Sequence, residues 1–332
     1  MFFIKYRGEG IKIMSKVSII LSTYNGSQYL SSLLDSILLQ TYTDIEYIII
    51  DDNSTDNTIQ ILQEYAKKDL RIKLFFNPLN LGVNKSFEKG ITVSSGNYIF
   101  LCDQDDLWDK TKVENLIQKI ECGYDLVYCD LRVINSNGRL IAKSFQKLIC
   151  TNNLQSKNLT KYLLFRNITN GCSVCFRRKL IDDILPFPDD VIYDWWLMFK
   201  VSLKYKIGKL DETLMSYRIH DSNAIGFHII KKDNKCKLDN IQKHLNSLTL
   251  FSKQKNILKY RKYFDILFSF FHARIDFIKH RTNIIKYYFD SVVLLRYFPR
   301  LYKYILKNII EDTLPKLYNV LIKIWLKQKM RV

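Results

Sequence analysis

The sequence predicts an α/β domain with a mainly parallel sheet flanked by helices, followed by a helical and basic C-terminal region. Two features of the 332-residue chain indicate this arrangement. Short apolar runs alternate with amphipathic helical patterns through the first hundred residues, which is typical of parallel strands joined by right-handed crossovers. Positive charge is concentrated in residues 231–332, which contain 23 Lys and Arg against 7 Asp and Glu.

The elements follow one another in a regular order. Four apolar runs are predicted as strands, namely Val17–Leu21, Tyr47–Ile50, Ile72–Phe76 and Tyr98–Leu101. Helical patterns begin at Ser27, Thr58 and Val83, and Ser27 is expected to cap the first helix. Ligands of such sheets bind beyond the carboxyl ends of the strands. The polar clusters Thr23–Asn25, Asp51–Asp52 and Asp103–Asp106 are therefore expected to meet at one edge.

We divide the chain into an N-terminal extension (1–15), a main domain (16–226) and a helical, basic, aromatic C-terminal region (227–332). No apolar run reaches the roughly 18 residues that a membrane-spanning helix needs. The N-terminus lacks the apolar core of a secretory signal, so we expect a cytoplasmic protein.

The C-terminal region combines cations with aromatic residues at helical spacing, as in Ile305, Ile309 and Ile310. This combination favours a helix at a membrane surface, because anionic headgroups attract Lys and Arg while rings settle at the headgroup level. We therefore expect peripheral contact with the inner membrane face through residues 231–332. One alternative is a helical bundle with a solvated basic face. Another is nucleic-acid binding, although we do not expect a nucleic acid as a partner.

Seven cysteines in a chain of this kind indicate free thiols. Cys172 and Cys175 form a C-x-x-C within the stretch Asn170–Phe176, which is predicted to be a strand. Residues three apart on a strand point to opposite faces, so we expect no metal or redox role for this pair.

No glycine-rich phosphate loop follows the first strand, which argues against dinucleotide oxidoreductases and P-loop enzymes. A bound pyrophosphate would then need a divalent cation, and Asp103, Asp105 and Asp106 supply the hard oxygen ligands that Mg²⁺ or Mn²⁺ prefers. The alternative is that these aspartates only form a turn and cap a helix.

Several stretches together resemble glycosyltransferase family 2, which has the A-type glycosyltransferase fold. They are Val17–Asn25, Ile50–Asp56, Gly96–Asp106, Asn170–Cys172, Tyr193–Trp196 and Tyr217–Asn223, and they cover about residues 16–226. The D-W-W and Y-R-x-H-x-x-N elements are similar to the rhamnosyltransferase-like branch of that family.

The resemblance implies roles for particular residues. The residues expected to contact the nucleotide are Thr23, Tyr24, Asn25, Asp52, Asn84, Lys85, Asp103 and Arg218, with Tyr24 stacking and Asp52 accepting from the base. The residues expected to hold the metal are Asp103, Asp105, Asp106 and His220. Asp51 is expected to cap the sheet edge. For Asn84 and Lys85 a helix start with a solvated lysine is the alternative. For His220 the alternatives are a hydrogen-bond donor to the phosphate and a structural hydrogen bond.

Family members invert the anomeric centre in a single displacement, which requires a base opposite the leaving group. Asp194 matches the base position; its alternative role is an N-cap, and Asp189 and Asp190 are the next candidates. Trp195 or Trp196 could stack on a sugar ring, although at least one of them is expected in the core.

The predicted activity is inverting, metal-dependent transfer of a sugar, rhamnose among the candidates, from a dTDP- or UDP-sugar. The acceptor would be a glycan or a polyprenyl-linked glycan in cell-surface polysaccharide synthesis. The alternatives are a nucleotidyltransferase acting on a sugar phosphate and a nucleic-acid-binding protein that uses the basic region.

Overall fold

The computed structural model describes residues 15–149, 151–152, 154, 159–220, 234–280, 284–298, 305–306, 308–309 and 312. Residues 1–14 of the predicted extension and the predicted boundary at 226 lie outside the described residues. The same holds for Asp221–Asn223 of the resembling stretches and for most of the chain after residue 298.

The first hundred residues form the parallel half of the sheet. Its strands are β1 (Val17–Thr23), β2 (Ile45–Asp51), β3 (Ile72–Phe76) and β4 (Tyr98–Asp103), joined by α1 (Ser27–Leu38), α2 (Thr58–Lys68) and α3 (Val83–Val93). The strands pair in the order β3-β2-β1-β4, all parallel. The predicted alternation of strands and helices is confirmed.

The start of α1 differs from the prediction. The helix begins at Ser27, with Gly26 as its N-cap and no side-chain capping bond, so the predicted cap by Ser27 is wrong. Instead the N–H of Ser27 donates to Oδ2 of Asp56 over 3.1 Å, and the N–H of Gly26 donates to Oγ1 of Thr58 over 2.8 Å. Side chains of the next loop therefore satisfy the free N–H groups of the helix end.

The second half of the sheet is mixed. It contains β5 (Leu107–Trp108), β6 (Leu126–Asn135), β7 (Leu140–Ala142), β8 (Val174–Arg177) and β9 (Ile207–Ile219). The helices of this half are α4 (Lys112–Ile120), α5 (Phe145–Leu148), α6 (Leu159–Phe165), α7 (Ile181–Ile184) and α8 (Tyr193–Lys204). The complete order is β3-β2-β1-β4-β8-β6-β9-β5, with β7 beside β6. Strand β8 runs antiparallel to both of its neighbours.

The strand predicted over Asn170–Phe176 is correct only from Val174 onward. Residues Gly171–Ser173 form a 3₁₀ turn. Both Cys172 and Cys175 are buried free thiols.

Apolar side chains of the strands alternate between two cores, as the period of a strand requires. One face, including Ile19, Leu21 and Phe100, packs against α1, α2 and α4. The other face, including Ile20, Ile48 and Leu101, packs against α3, α6 and α8. The sheet is covered on both faces, which leaves its strand ends as the open edge.

Three helices from the C-terminal region extend the second core. They are α9 (Asn234–Ser252), α10 (Arg261–His280) and α11 (Ile284–Tyr297). The ring of Phe251 stacks on Phe199 of α8 at 3.9 Å, and Phe271 stacks on Phe165 of α6 at 6.2 Å. Within the described residues, every helix is too short or too polar to cross a bilayer.

A buried ionic cluster joins these helices to Asp312. Its carboxylate accepts from Nε of Arg274 over 2.6 Å, from the Tyr287 hydroxyl over 2.9 Å and from Nζ of Lys237 over 3.3 Å. Each of these side chains is almost completely buried. The buried carboxylate is thus paired with buried cations, as a buried charge requires. Since the three partners come from α9, α10 and α11, the cluster connects these helices.

Candidate active site

The parallel strands bring their carboxyl ends together, as the topology predicts. Thr23 lies opposite Asp51 in the pairing of β1 with β2, and Ser22 lies opposite Asp103 in the pairing of β1 with β4. The hydroxyl of Thr23 donates to Oδ1 of Asp51 over 2.9 Å. Oδ2 of Asp51 accepts from the N–H of Ser54 over 2.9 Å. Asp51 thus closes the end of β2, and the Thr23 hydroxyl is engaged in that closure.

Asp52 holds the loop that leads into α3. Its Oδ1 accepts from Nδ2 of Asn77 over 2.8 Å and from the N–H of Leu81 over 2.9 Å, while Oδ2 accepts from the N–H of Gly82 over 2.8 Å. Gly82 has a φ of 86°, a conformation that glycine adopts without strain. A carboxylate has about four acceptor positions, so one of them is left for a ligand.

Tyr24 presents an exposed ring on a fixed backbone. Tyr24 is 45% exposed. Gln104 holds the backbone of Tyr24 from both sides, since its Oε1 accepts from the N–H over 2.8 Å and its Nε2 donates to the carbonyl over 3.0 Å. Gln104 was not predicted from the sequence, because a glutamine within D-Q-D-D is neither a typical metal ligand nor a typical catalytic residue.

Asn25 connects two loops at the same edge. It adopts a φ of 48°, which asparagine tolerates better than most residues. Its Oδ1 accepts from the N–H of Thr55 over 2.8 Å, and its own N–H donates to Oγ of Ser54 over 2.9 Å. The predicted nucleotide-contacting residue therefore joins the ends of β1 and β2.

The carboxylates after β4 form a dense and mostly buried cluster. Oδ2 of Asp106 is buried and has no hydrogen-bond partner among the described residues. Ligand atoms of Asp103, Asp106 and Cys172 all lie within 4.8 Å of one another. Burial, followed by the charge of Asp105, raises the pKa of Asp103 to about 7 and raises the pKa of Asp106. Burial and the neighbouring carboxylates therefore favour the protonated forms of Asp103 and Asp106, whereas a bound divalent metal would favour their ionised forms.

Asp105 pairs with His220 at the edge of this cluster. Nε2 of His220 lies 2.8 Å from Oδ2 of Asp105, and both side chains are largely buried. The imidazole packs against the ring of Tyr29, with centroids 5.0 Å apart. A carboxylate and an imidazole at this distance suit either a hydrogen bond or shared ligation of a metal.

Arg218 is hydrogen-bonded to the loop that contains Asp105 and Asp106. Its Nε donates to the carbonyl of Asp105 over 2.9 Å, and its N–H donates to Oδ1 of Asp106 over 3.2 Å. The guanidinium also donates to the carbonyl of Ser136 over 3.2 Å and lies 4.6 Å from the ring centre of Tyr29. Arg218 is 5% exposed, and its observed contacts hold the aspartate loop in place.

Asp194 lies in the first turn of α8, two residues after the N-cap Ile192. Its Oδ2 accepts from the N–H of Gly171 over 3.1 Å, while Oδ1 is buried without a partner among the described residues. Burial raises the pKa of this carboxyl to about 6. The charge of Asp194 also raises the pKa of Asp103, so the two carboxylates lie close enough to interact.

Tyr193 connects the helix of Asp194 to the aspartate cluster. Its hydroxyl donates to Oδ1 of Asp103 over 3.3 Å. Its ring packs on Phe87 of α3, with centroids 4.3 Å apart. A Cβ at position 171 would lie 2.3 Å from this ring, which explains the glycine there.

Asn84 anchors the loop before α8. Its Nδ2 donates to the carbonyls of Pro188 and Val191, both over 2.8 Å, and its Oδ1 accepts from the N–H of Tyr193 over 2.9 Å. Both N–H donors of the side chain are therefore used within the protein. Lys85, the neighbouring predicted nucleotide contact, lies 3.3 Å from Oε2 of Glu88 and is 41% exposed.

The remaining sequence candidates lie elsewhere. Asp189 and Asp190 are exposed loop residues. Nε1 of Trp195 donates to the carbonyl of Leu163 over 2.7 Å, and Nε1 of Trp196 donates to that of Ile184 over 2.8 Å. Both tryptophans pack against Phe251 of α9. They belong to the core that joins α8 to the C-terminal helices, so their packing gives no support to stacking on a sugar ring.

Lys112 is a buried cation that the sequence did not reveal. It is completely buried, its Nζ donates to the carbonyl of Cys172 over 2.6 Å, and Nζ lies 3.1 Å from the ring centre of Trp108. Burial lowers its pKa. A lysine at the start of a helix is ordinarily solvated, so only the tertiary packing identifies this one.

Comparison with known proteins gives a consistent result. The family model described as glycosyl transferase family 2 matches residues 18–185. A glycosyltransferase of Nostoc sp. is 30% identical over 224 residues, which cover 63% of this chain and 66% of that protein. A glycosyltransferase of Haemophilus influenzae is 29% identical over 254 residues, covering 72% of this chain and 77% of that protein. The matched stretch thus spans just under two thirds of the Nostoc relative's length.

Two solved structures share the architecture. Staphylococcus aureus TarS 1-349, in complex with UDP-GlcNAc, matches with a TM-score of 0.56 and 21% identity over 90% of this chain and 81% of that one. The mannosyltransferase PcManGT of Pyrobaculum calidifontis, in complex with GDP-Man and Mn²⁺, matches with a TM-score of 0.59 and 15% identity, over 91% and 88% of the two chains. At these identities the likeness establishes the fold.

Proposed function

Because the chain belongs to glycosyl transferase family 2, we propose that it transfers a sugar from a nucleotide-diphosphate donor to an acceptor hydroxyl, with inversion at the anomeric carbon. The predicted A-type glycosyltransferase fold is confirmed by the likeness to the two solved structures. One arrangement supports the chemistry most directly. Asp194 has a raised pKa and lies beside an aspartate cluster to which its neighbour Tyr193 is hydrogen-bonded.

The nucleotide would bind along the ends of β1 and β2. Tyr24 offers an exposed ring on a fixed backbone for stacking on the base. Asp52 retains one acceptor position for an N–H of the base. Thr23 and Asn25 would act by shaping this edge, since their side chains are bonded to Asp51 and Thr55.

The donor set fits Mg²⁺ or Mn²⁺. Oδ2 of Asp106 is buried and unpaired among the described residues, and burial beside other carboxylates raises the pKa values of Asp103 and Asp106, which supports a cation at this place. The residues that would hold it are Asp105 and His220, which lie 2.8 Å apart, together with Asp103 and Asp106. A divalent cation there supplies positive charge that offsets the charge of the diphosphate.

Asp194 would be the general base. As the acceptor oxygen bonds to the anomeric carbon, the bond from that carbon to the diphosphate oxygen breaks, and the nucleoside diphosphate leaves with the bonding electrons. The acceptor's proton passes to Asp194, whose Oδ2 is held by the N–H of Gly171. A base with a pKa of about 6 is largely ionised at neutral pH and still accepts a proton well.

The finer features remain part of the proposal. The resemblance to the rhamnosyltransferase-like branch makes dTDP-rhamnose the first donor to test and UDP-hexoses the second. The acceptor would be a glycan or a polyprenyl-linked glycan used in cell-surface polysaccharide synthesis. The enzyme would work in the cytoplasm, held at the inner membrane face by residues 231–332. Family membership favours glycosyl transfer over the nucleotidyl transfer that the sequence left open.

The test combines donor binding with turnover. Nucleotide-sugars are screened by calorimetry with and without Mn²⁺, and transfer is then assayed with the donor that binds. We expect Asp194→Asn to bind the donor normally and to lose about 10²–10⁴-fold in rate, the usual contribution of a general base. Asp189→Asn, the same change on an exposed loop, is the matched control. Unchanged turnover in Asp194→Asn would contradict the assignment of Asp194 as the base. Donor binding that is equally tight with and without Mn²⁺ would contradict the proposed metal site.

A further inference from the structure

Helix α11 carries two apolar faces. Tyr287, Leu294 and Phe298 are completely buried against the other helices. The outer face of α11, defined here as Ile285, Tyr288, Phe289 and Val292, is exposed by 82%, 40%, 66% and 65% respectively. Spacings of three and four residues put these four side chains on one side of the helix. Contiguous exposed apolar side chains of this kind are typical of a contact surface.

The exposed charges of α10 and α11 are mainly positive. The exposed charged residues of α10 and α11, within their described parts, are Arg261, Lys262, Asp265, Lys279, Lys286 and Arg296, five of them basic. Asp290 is only partly exposed and accepts from the hydroxyl of Ser269 over 2.9 Å. The whole segment 231–332 contains 23 basic and 7 acidic residues. The stripe therefore lies on a helix that carries the exposed cations Lys286 and Arg296, in a segment with a large excess of basic residues.

Two kinds of occupant fit an apolar stripe, and the charge distinguishes them. A second copy packed about a two-fold axis would place the same basic surface on both sides of the interface, where like charges repel. An anionic lipid surface instead neutralises the cations while the aliphatic and aromatic side chains enter the headgroup region. We propose that the outer face of α11 is the surface through which this protein docks on an anionic bilayer. The inference deepens the proposed function, because a polyprenyl-linked acceptor would lie in that bilayer.

The test is sedimentation of the full chain with vesicles in the absence of donor and acceptor. Vesicles of phosphatidylcholine alone are compared with an equal mixture of phosphatidylcholine and phosphatidylglycerol. The variant Ile285→Ser/Phe289→Ser/Val292→Ser is expected to lose roughly tenfold or more in partitioning to the anionic vesicles, since every methylene removed weakens insertion. The matched control, Leu39→Ser/Leu70→Ser/Val93→Ser, removes three exposed apolar side chains from the first half of the chain. It is expected to bind vesicles like the unchanged protein.

Each outcome decides the proposal. Binding to anionic vesicles that weakens with salt, is lost in the α11 variant and is kept in the control supports it. Equal binding to neutral vesicles, or unchanged binding by a folded α11 variant, overturns it. A dimer in solution that becomes monomeric in the α11 variant would also overturn it and assign the face to a second copy. Calorimetry with the nucleotide-sugar on the same variants tests the proposed activity separately. The membrane proposal and the proposed activity can therefore be contradicted independently of each other.

Discussion

The hydroxyl of Tyr193 donates to Oδ1 of Asp103 over 3.3 Å and thereby links the first turn of α8 to the end of β4. The next residue along the helix, Asp194, is held by the N–H of Gly171 in the turn before β8. One hydrogen bond thus joins the helix of the proposed base to the aspartate cluster, and a second holds the base to the turn before β8. The distance between the base and the cluster sets the room for a sugar, so these bonds are expected to affect catalysis.

Replacing Tyr193 by Phe should separate positioning from folding. The ring can still pack on Phe87, and a single hydrogen bond contributes only about 0.5–1.5 kcal/mol to the free energy of unfolding. We expect turnover to fall about tenfold while donor affinity stays nearly constant, because the loss affects the geometry of the reacting groups. The comparison is Tyr47→Phe, which removes a buried hydroxyl bonded to the carbonyl of Ile37 far from the site. Equal effects of the two variants on turnover would show that Tyr193 has only a structural role.

Asp194 should make the fold less stable as the pH rises. Its pKa is about 6 in the folded protein and about 3.9 in an unfolded chain. The folded state therefore binds more protons between these values, so the stability contributed by this group falls from pH 4 to pH 6 and stays low above pH 6. The shift corresponds to roughly 2–3 kcal/mol.

Asp194→Asn removes the loss of stability that comes from ionising the buried carboxyl. Without divalent cations, we expect the variant to be more stable than the unchanged protein at pH 8 by about 1–3 kcal/mol, and to show little difference at pH 4. Denaturant unfolding at the two pH values measures this. A variant that is destabilised at pH 8 would contradict the raised pKa.

Asn84 gives a prediction that distinguishes its two assigned roles. Asn84→Ala would leave the carbonyls of Pro188 and Val191 and the N–H of Tyr193 without their partner, at a cost of about 1–3 kcal/mol in stability. We expect faster hydrogen exchange at the Tyr193 amide and lower turnover. Asn115→Ala, which removes an exposed bond to Glu212, is the control and should change little. If Asn84→Ala weakened donor binding in a fully stable protein, a direct nucleotide contact would be the better explanation.

Sequence reasoning succeeded where a local pattern determines the outcome. Strands β1, β2 and β4 are buried and mostly apolar, and their polar ends meet because parallel strands align their carboxyl ends. It failed where a distant neighbour decides. Position 171 requires glycine because Tyr193 occupies the space that a side chain there would need. Lys112 and Gln104 act through contacts with Cys172 and Tyr24, which no spacing in the sequence reveals.

The C-terminal helices show a second limit of the sequence. Net charge set residues 227–332 apart from the rest, but charge describes the surface of a segment and not its packing. Phe251 and Phe271 lie against α8 and α6, so these helices share a core with the main domain. The boundary predicted at residue 226 falls among residues that the structure does not describe.

Shared packing predicts that the C-terminal helices cannot be removed without harm. Phe251 contacts Trp195, Trp196 and Phe199 and is completely buried. We expect Phe251→Ala to lower the free energy of unfolding by about 3–5 kcal/mol, as is usual for a large aromatic side chain in a core. Phe289→Ala, on the exposed face of α11, should change it by about 0.5 kcal/mol or less. Truncation after Ile230 should accordingly aggregate, because it uncovers the aromatic face of α8. A truncated chain that unfolds cooperatively at the temperature of the full chain would contradict a shared core and support an independent main domain.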